Sequence, residues 1–227
     1  MRSLLRHYRT LKTNWNDTDT IVLRSNLMAL ALLIANCWWE RVNLAYIATV
    51  IPLILQFMQS KTDETLRRAI VFSAAVPMGW PLGEGIVFHL FGRWGEYTAA
   101  GPYIWETPVY CLLIGWHATV HLVYSARRFE EMGYSLRFVT VLLGVGALAL
   151  GVLGENLFVH GGLWTYHPSI WDWWAVPAFV PIAYALGYAS IPWFRARWKD
   201  GPAAAGFLSL LWVLCVSLGF ATGFFPQ

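Results

Sequence analysis

The sequence predicts an all-α integral membrane protein of seven transmembrane helices with its N-terminus inside, built in part from repeated helical hairpins. Three observations predict it. The chain is 57% hydrophobic and only 13% charged, with fourteen Trp and a mean hydropathy of +0.48, too apolar for a soluble domain. Seven windows have the length and apolarity needed to cross roughly 30 Å of hydrocarbon. The basic residues alternate between the connections as the positive-inside rule requires.

The windows fall at 21–39, 42–59, 69–91, 103–126, 136–159, 174–194 and 207–225. Arg2, Arg6, Arg9, Lys12 and Arg24 precede or open the first. Lys61, Arg67 and Arg68 follow the second, Arg127, Arg128 and Arg137 the fourth, and Arg195, Arg197 and Lys199 the sixth. On the other side stand only Arg41 and Arg93. This asymmetry puts the C-terminus outside, and it accounts for the net charge of +3 without invoking nucleic acid. The first twenty residues are basic but lack an apolar core, so no cleavable signal peptide is expected and the first helix serves for insertion. Cys37, Cys111 and Cys215 are odd in number, far apart and set in apolar windows, which fits packing residues and neither a disulfide framework nor a zinc knuckle.

Chain 1–227 reads as one membrane domain holding two copies of a hairpin, 69–126 and 136–194. Gly83 to His89 and Gly154 to His160 both read Gly-Glu-x-x-x-x-His. Glu84, His89, Trp94, Tyr97, Trp105 and Pro108 align with Glu155, His160, Trp164, Tyr166, Trp174 and Pro177 when two one-residue gaps are allowed. Such a parallel repeat builds sites between equivalent halves. A looser third copy ends in Asn36-Cys37-Trp38-Trp39-Glu40. The run 200–206 breaks the chain before a last helix, 207–225, without ionisable residues, which reads as scaffold.

An ionisable carboxyl in an apolar segment is costly in lipid and marks a functional site. At 1.5 Å per residue, Glu84 lies about 10 Å and Glu155 about 6 Å from the outer ends of their windows. Glu40, Glu106 and Asp172 share that half with only Arg41 and Arg93, so at least one carboxyl has no cationic partner and desolvation keeps it neutral. A neutral acid among aromatic faces can protonate an olefin or epoxide while the ring quadrupoles stabilise the carbocation that forms. Glu40, Glu84 and Glu155 are the candidate proton donors, with His89 and His160 as relays or bases. Trp39, Trp80, Trp94, Tyr97, Trp105, Glu106, Trp164, Tyr166 and Trp174 are the candidate substrate contacts. Pro77, Gly79, Pro81, Gly83 and Gly85 make the helix around Glu84 thin and bent, which favours Glu84 as cavity lining. The structural alternative is that Glu84 and Glu155 bond across helices and hold the hairpins together.

Other classes are weighed against the same residues. His117 and His121 stand four apart on one helical face, a spacing metal ligands use. Glu84 and His89 differ by about 140° of azimuth on their helix, and His117 lies about 20 Å below the outer end of its window. One metal site joining them is therefore awkward, interhelical hydrogen bonding explains the pair, and no metal or other cofactor is expected. Lys12, Lys61 and Lys199 all fall in inner segments, which excludes a retinal Schiff base. Asp-rich metal-diphosphate motifs are absent. A proton-coupled carrier of a small hydrophobic molecule and a metal-dependent membrane oxidoreductase remain the alternatives.

Asn36-Cys-Trp-Trp-Glu40 resembles the Asn-x-x-Trp-Glu element of the small transmembrane terpene cyclases of meroterpenoid pathways, in which the Glu protonates a terminal epoxide or alkene. Gly162 to Tyr166 with Pro177-Ala178-Phe179, and Gly95-Glu96-Tyr97 with Pro102 and Pro108, resemble the repeats of membrane lycopene cyclase domains and carotenoid hydratases. The chain departs from both patterns: Ala178 and Phe179 stand where the second family has paired acids, Glu106 precedes its proline, and 207–225 lacks a late-helix Asp. The resemblance implies a membrane enzyme that cyclises or hydrates an isoprenoid drawn from the lipid bilayer.

Overall fold

The computed structural model describes residues 14–39, 41–194 and 201–223. Glu40 and the basic residues Arg2, Arg6, Arg9, Lys12, Arg195, Arg197 and Lys199 lie outside the described residues. The order of elements is α1 (Asp17–Trp39), α2 (Val42–Gln59), α3 (Glu64–Ser73), α4 (Ala75–Phe91), β1 (Gly95–Tyr97), β2 (Tyr103–Ile104), β3 (Thr107–Pro108) and α5 (Val109–Glu131). It continues with α6 (Leu136–His160), β4 (Trp164–Tyr166), β5 (Asp172–Trp173), β6 (Val176–Pro177), α7 (Phe179–Ala189), α8 (Ile191–Phe194) and α9 (Gly201–Ala221).

Among the described residues, six helical stretches are long and apolar enough to cross a membrane: α1, α2, the nearly continuous α3–α4, α5, α6 and 203–221 of α9. The seventh window gives a shorter apolar stretch, Phe179–Phe194. Its two pieces meet at Ser190, just ahead of Pro192, which has no N–H to return to the carbonyl of Tyr188. The α3–α4 run pauses at Ala74 for the same reason, Pro77 standing four residues after Ser73. Asp63 starts that run by accepting from the Leu66 N–H at 2.8 Å, a side-chain N-cap.

Several helix boundaries differ from the windows, and two of the differences have a clear local cause. Residues 103–108 and 174–177 are not helical; they belong to two short antiparallel hairpins, β2–β3 and β5–β6. Proline explains both, since Pro108 and Pro177 cannot donate and push the residue before them into extended backbone, so α5 and α7 begin after them. The last helix is already formed at Gly201, ahead of 207, as the helix-forming run Ala203 to Ala205 allows.

The helices form a ring around α5. In it α1 packs on α2 and α6, α7 on α6 and α9, α4 on α5 and α9, and α5 on α2, α3 and α6. One apolar core holds Leu66, Ile70, Val120, Val123, Leu143 and Phe207. At the hairpin end, β1 pairs with β4, setting Gly95 opposite Tyr166 and Tyr97 opposite Trp164, so the two long loops are laced to each other. A Cβ at Gly95 would overlap the Thr165 carbonyl, which is why the strands can approach only with glycine there. Near that end α1 is pinned to α6: Asn36 Nδ2 donates to the Gly161 carbonyl at 2.9 Å and Cys37 Sγ to the Leu157 carbonyl at 3.3 Å.

The opposite end is tied by charge. Asp19 of α1 accepts from Arg128 Nε at 2.9 Å and Nη2 at 2.8 Å, and from the Tyr124 hydroxyl at 2.8 Å, all on α5. Both partners are largely shielded from solvent. Removing one member of a buried pair leaves an uncompensated charge, so Arg128→Leu is expected to lower stability by about 3–5 kcal/mol. Thermal unfolding in detergent, with Asp19→Asn/Arg128→Leu recovering part of the loss, checks this.

Candidate active site

Glu84 of α4 and Glu155 of α6 come to the hairpin end of the ring, 1% and 5% exposed. Each is met by the tyrosine of the strand that follows its own helix. Tyr97 donates to Glu84 Oε1 at 2.6 Å, and Tyr166 donates to Glu155 Oε2 at 2.7 Å. Because β1 and β4 pair antiparallel about Glu96 and Thr165, the two tyrosines leave the ladder on one face of it and reach back to opposite acids. Burial pushes both phenols well above their ordinary value, so both keep the proton they donate.

The remaining partners differ. Thr107 of β3 donates to Glu84 Oε2. Glu155 receives the Trp164 indole N–H at 3.2 Å and the Tyr184 hydroxyl at 2.9 Å. A hydroxyl can donate or accept, whereas an indole N–H only donates. Glu84 therefore has two partners able to reverse, and Glu155 has one that cannot. Among the described residues neither carboxyl forms an ion pair. The nearby cation is taken up elsewhere: Arg93 bonds Glu106 at 2.5 Å and Glu96 at 3.4 Å and lies over the Phe88 ring. The sequence expects at least one acid of this half without a cation; among the described residues Glu84, Glu155 and Asp172 form no ion pair, and Asp172 is met by Ser169 instead.

Both carboxyls line a cavity of about 460 Å³, within the range of small-molecule sites. Its walls are mostly apolar and aromatic, with Trp80, Phe88, Trp94, Tyr97, Phe158, Trp164, Tyr166 and Tyr184 contributing. The rings are fixed by one another: Trp94 stacks on Trp212 with centroids 5.5 Å apart, Trp80 leans on Trp212 at 4.5 Å, and Trp164 packs against Phe158 at 4.8 Å. On one flank Leu23, Leu27 and Leu30 of α1 and Leu150 and Leu153 of α6 are exposed on the outside and also line the cavity. These leucines are thus shared by the outer surface and the cavity, which opens on that flank of the bundle.

Several candidates lie elsewhere. His89 and His160 are exposed at the ends of their helices and do not reach the cavity, so they are not relays to Glu84 or Glu155. Trp39 and Trp174 are exposed on the outside. Trp105 is exposed too, its ring against α4 where a Cβ on Gly85 would touch it at 2.8 Å. Trp105 and Trp174 hold φ of 55° and 60° at the first loop position of their hairpins, where glycine is usual. Glu106 is spent on Arg93. Trp94 and Trp164, aligned by sequence, are not equivalent: Trp164 lies in β4 opposite Tyr97, while Trp94 precedes β1. The last helix also supplies wall, through Leu211 and Cys215.

Thr107, Tyr184, Phe88 and Phe158 were not singled out from sequence. Thr107 precedes the proline shared by both repeats, which was the available signal; Tyr184 follows Glu155 by 29 residues and carries none. His117 and His121 also line the cavity. Among the described residues no group of three His, Cys, Asp or Glu side chains is placed to hold one metal ion.

Comparison with known protein families, characterised proteins and solved structures returns no match, so the site is read from its own geometry.

Both acids should tolerate an isosteric amide. In Glu155→Gln the amide oxygen can stay toward Trp164 and Tyr166, which share one carboxyl oxygen, while the NH₂ meets the Tyr184 hydroxyl, which can accept. In Glu84→Gln both partners are hydroxyls free to rotate, so each variant should lose roughly 1 kcal/mol or less. Glu155→Leu leaves the Trp164 N–H, which cannot reverse, and two hydroxyls without their acceptor, and should lose on the order of 2–3 kcal/mol or more. Melting temperatures in one detergent give the order directly.

Proposed function

We propose that the chain is a multi-pass membrane enzyme, N-terminus inside, that draws a long apolar isoprenoid from the bilayer and starts carbocation chemistry on it with Glu84. The observation that carries this reading is the pairing of two acids, neither with a cation, at one end of an aromatic-walled cavity that opens toward the side of the helix ring. An enclosed site of that kind strengthens every charge interaction made in the transition state.

In the proposed reaction Glu84 gives its proton to a C=C bond or epoxide oxygen. The positive charge passes to carbon, facing the rings of Phe88, Trp94, Tyr97 and Trp164, whose faces attract cations. Tyr97 and Thr107 stay bonded to the carboxylate left behind, since hydroxyls that accept from the acid can donate to its anion. Ring closure consumes a second double bond, and loss of a proton from the adjacent carbon restores an alkene; capture by water gives an alcohol instead. Glu155 is suited to receive that last proton, because three donors hold it as an acceptor. With one proton added and one removed, cyclisation is a net isomerisation.

A carrier needs a path through the bundle, whereas here the end opposite the hairpins is tied by Asp19 and Arg128, and the opening is lateral. That observation favours an enzyme over a proton-coupled carrier.

The test uses the protein reconstituted in vesicles with a polyprenyl or polyene substrate and product analysis by mass spectrometry. Glu84→Gln is expected to lose at least about 10²-fold in turnover, the scale of general acid catalysis, while keeping its fold and its apolar ligand. Turnover unchanged in folded Glu84→Gln, or proton flux coupled to movement of the hydrophobic molecule, contradicts the proposal.

A further inference from the structure

The two histidines on α5 take no part in the chemistry above, yet both line the same cavity. Their position along it is fixed by Thr107. That residue touches Glu84, so α5 begins at the level of the carboxyl, and His117 and His121 lie about 12 and 18 Å further along the helix axis. They occupy the end of the cavity away from the acids, among apolar residues such as Ala118, Leu122 and Ala147.

His117 is 7% exposed, and its Nε2 is buried with no hydrogen-bond partner among the described residues. A neutral imidazole always carries one N–H and one lone pair, and native proteins rarely leave such a group unmatched in an apolar site. His121 is set differently. Asn26 Nδ2 donates to the Val22 carbonyl at 2.7 Å, which fixes the amide orientation, and lies 2.6 Å from His121 Nδ1. With Nδ1 accepting, the ring proton belongs on Nε2. The pair thus offers a set N–H donor from His121 and an unmatched ring nitrogen from His117, one turn apart on a helix that faces the cavity.

We propose that His117 and His121 form a polar subsite that hydrogen-bonds an oxygen-bearing group, a hydroxyl or carbonyl, at the far end of the apolar ligand whose other end meets Glu84. The inference rests on the reading of this cavity as a ligand site and adds the class of ligand: a long hydrocarbon chain that carries oxygen about 12 Å or more from the reacting double bond. A hydroxyl matches both rings, accepting from His121 and donating to or accepting from His117. A plain hydrocarbon would leave both unpaired. Reaction at one end would then be registered by recognition at the other, because a buried polar group rejects a ligand that cannot pair with it.

Binding separates this proposal from the chemistry. Farnesol and the hydrocarbon farnesene, of equal chain length, are titrated against the full chain in detergent, and quenching of its intrinsic Trp fluorescence is followed. Comparing variants cancels the different partition of the two probes into micelles. His117→Phe, and more so His117→Phe/His121→Phe, should weaken farnesol at least tenfold and leave farnesene within twofold. His117→Gln, which keeps a donor and an acceptor, should stay within about threefold of the wild type. Farnesol affinity unchanged in the double variant overturns the subsite, as does an equal fall for both probes, which would assign the rings to packing. Failure of both probes to bind the unmodified protein overturns the ligand cavity itself, and Glu84→Gln that retains farnesol selectivity but makes no product leaves the subsite supported.

Discussion

Two carboxyls that must be satisfied without a cation govern the architecture at the hairpin end. Glu84 and Glu155 are fixed to helices, but most of the groups that satisfy them are on the connections: Tyr97 and Thr107 for one, Tyr166 and Trp164 for the other. An unpaired carboxyl in an apolar interior is expensive, so these loops must return to the bundle and lie in one register. The β1–β4 ladder enforces that register, and Gly95 permits it. The aromatic density of the loops follows from the same need, since a phenol or an indole carries both the donor and the apolar body that closes the cavity above the acids.

The donors also divide the labour between the acids. Glu84 is held by two hydroxyls that can each give or take a proton's worth of hydrogen bonding. Glu155 is held by three donors, one of them fixed in that role. Between the two aligned hairpins this asymmetry arises from particular residues: Thr107 has Val176 at the matching hairpin position, and Tyr184 enters from α7. The proposed chemistry needs a proton donor and a proton acceptor on one chamber, and both carboxyls line the same cavity. On the flank of α1 and α6 exposed leucines also line the cavity, which would give the proposed substrate a route through an apolar phase.

The apolar helices and the burial of the two acids were legible in the sequence because they rest on local properties, window hydropathy and the cost of an acid in an apolar run; of the seven windows, six give stretches long enough to span among the described residues and 174–194 gives the shorter Phe179–Phe194. Boundaries at Pro108 and Pro177 were legible in principle, since proline marks where a helix can begin, but hydropathy alone extended the windows through the hairpins. What the sequence could not show is which aromatic faces inward. Trp94 and Trp164 line the cavity, whereas Trp105 and Trp174, at hairpin positions of positive φ, are exposed. Helix exits decide the same question for His89 and His160, whose places at the final turns leave them exposed. His117 and His121 read as an i, i+4 pair bonded between helices, and His121 does meet Asn26 of α1; that both also line the cavity shows only once α5 begins at Val109. Glu40 lies outside the described residues, and its part rests on the Asn36 to Glu40 pattern alone.

The proposed chemistry requires that Glu84 hold a proton at neutral pH inside the aromatic-walled cavity. Infrared difference spectroscopy of the protein in lipid, comparing the wild type with Glu84→Gln, measures it directly. The account predicts that the substitution removes a carbonyl-stretch band of a neutral carboxylic acid, one that shifts little in D₂O-hydrated films if the chamber excludes water. Loss of carboxylate bands alone, with no neutral-acid band to remove, would contradict it.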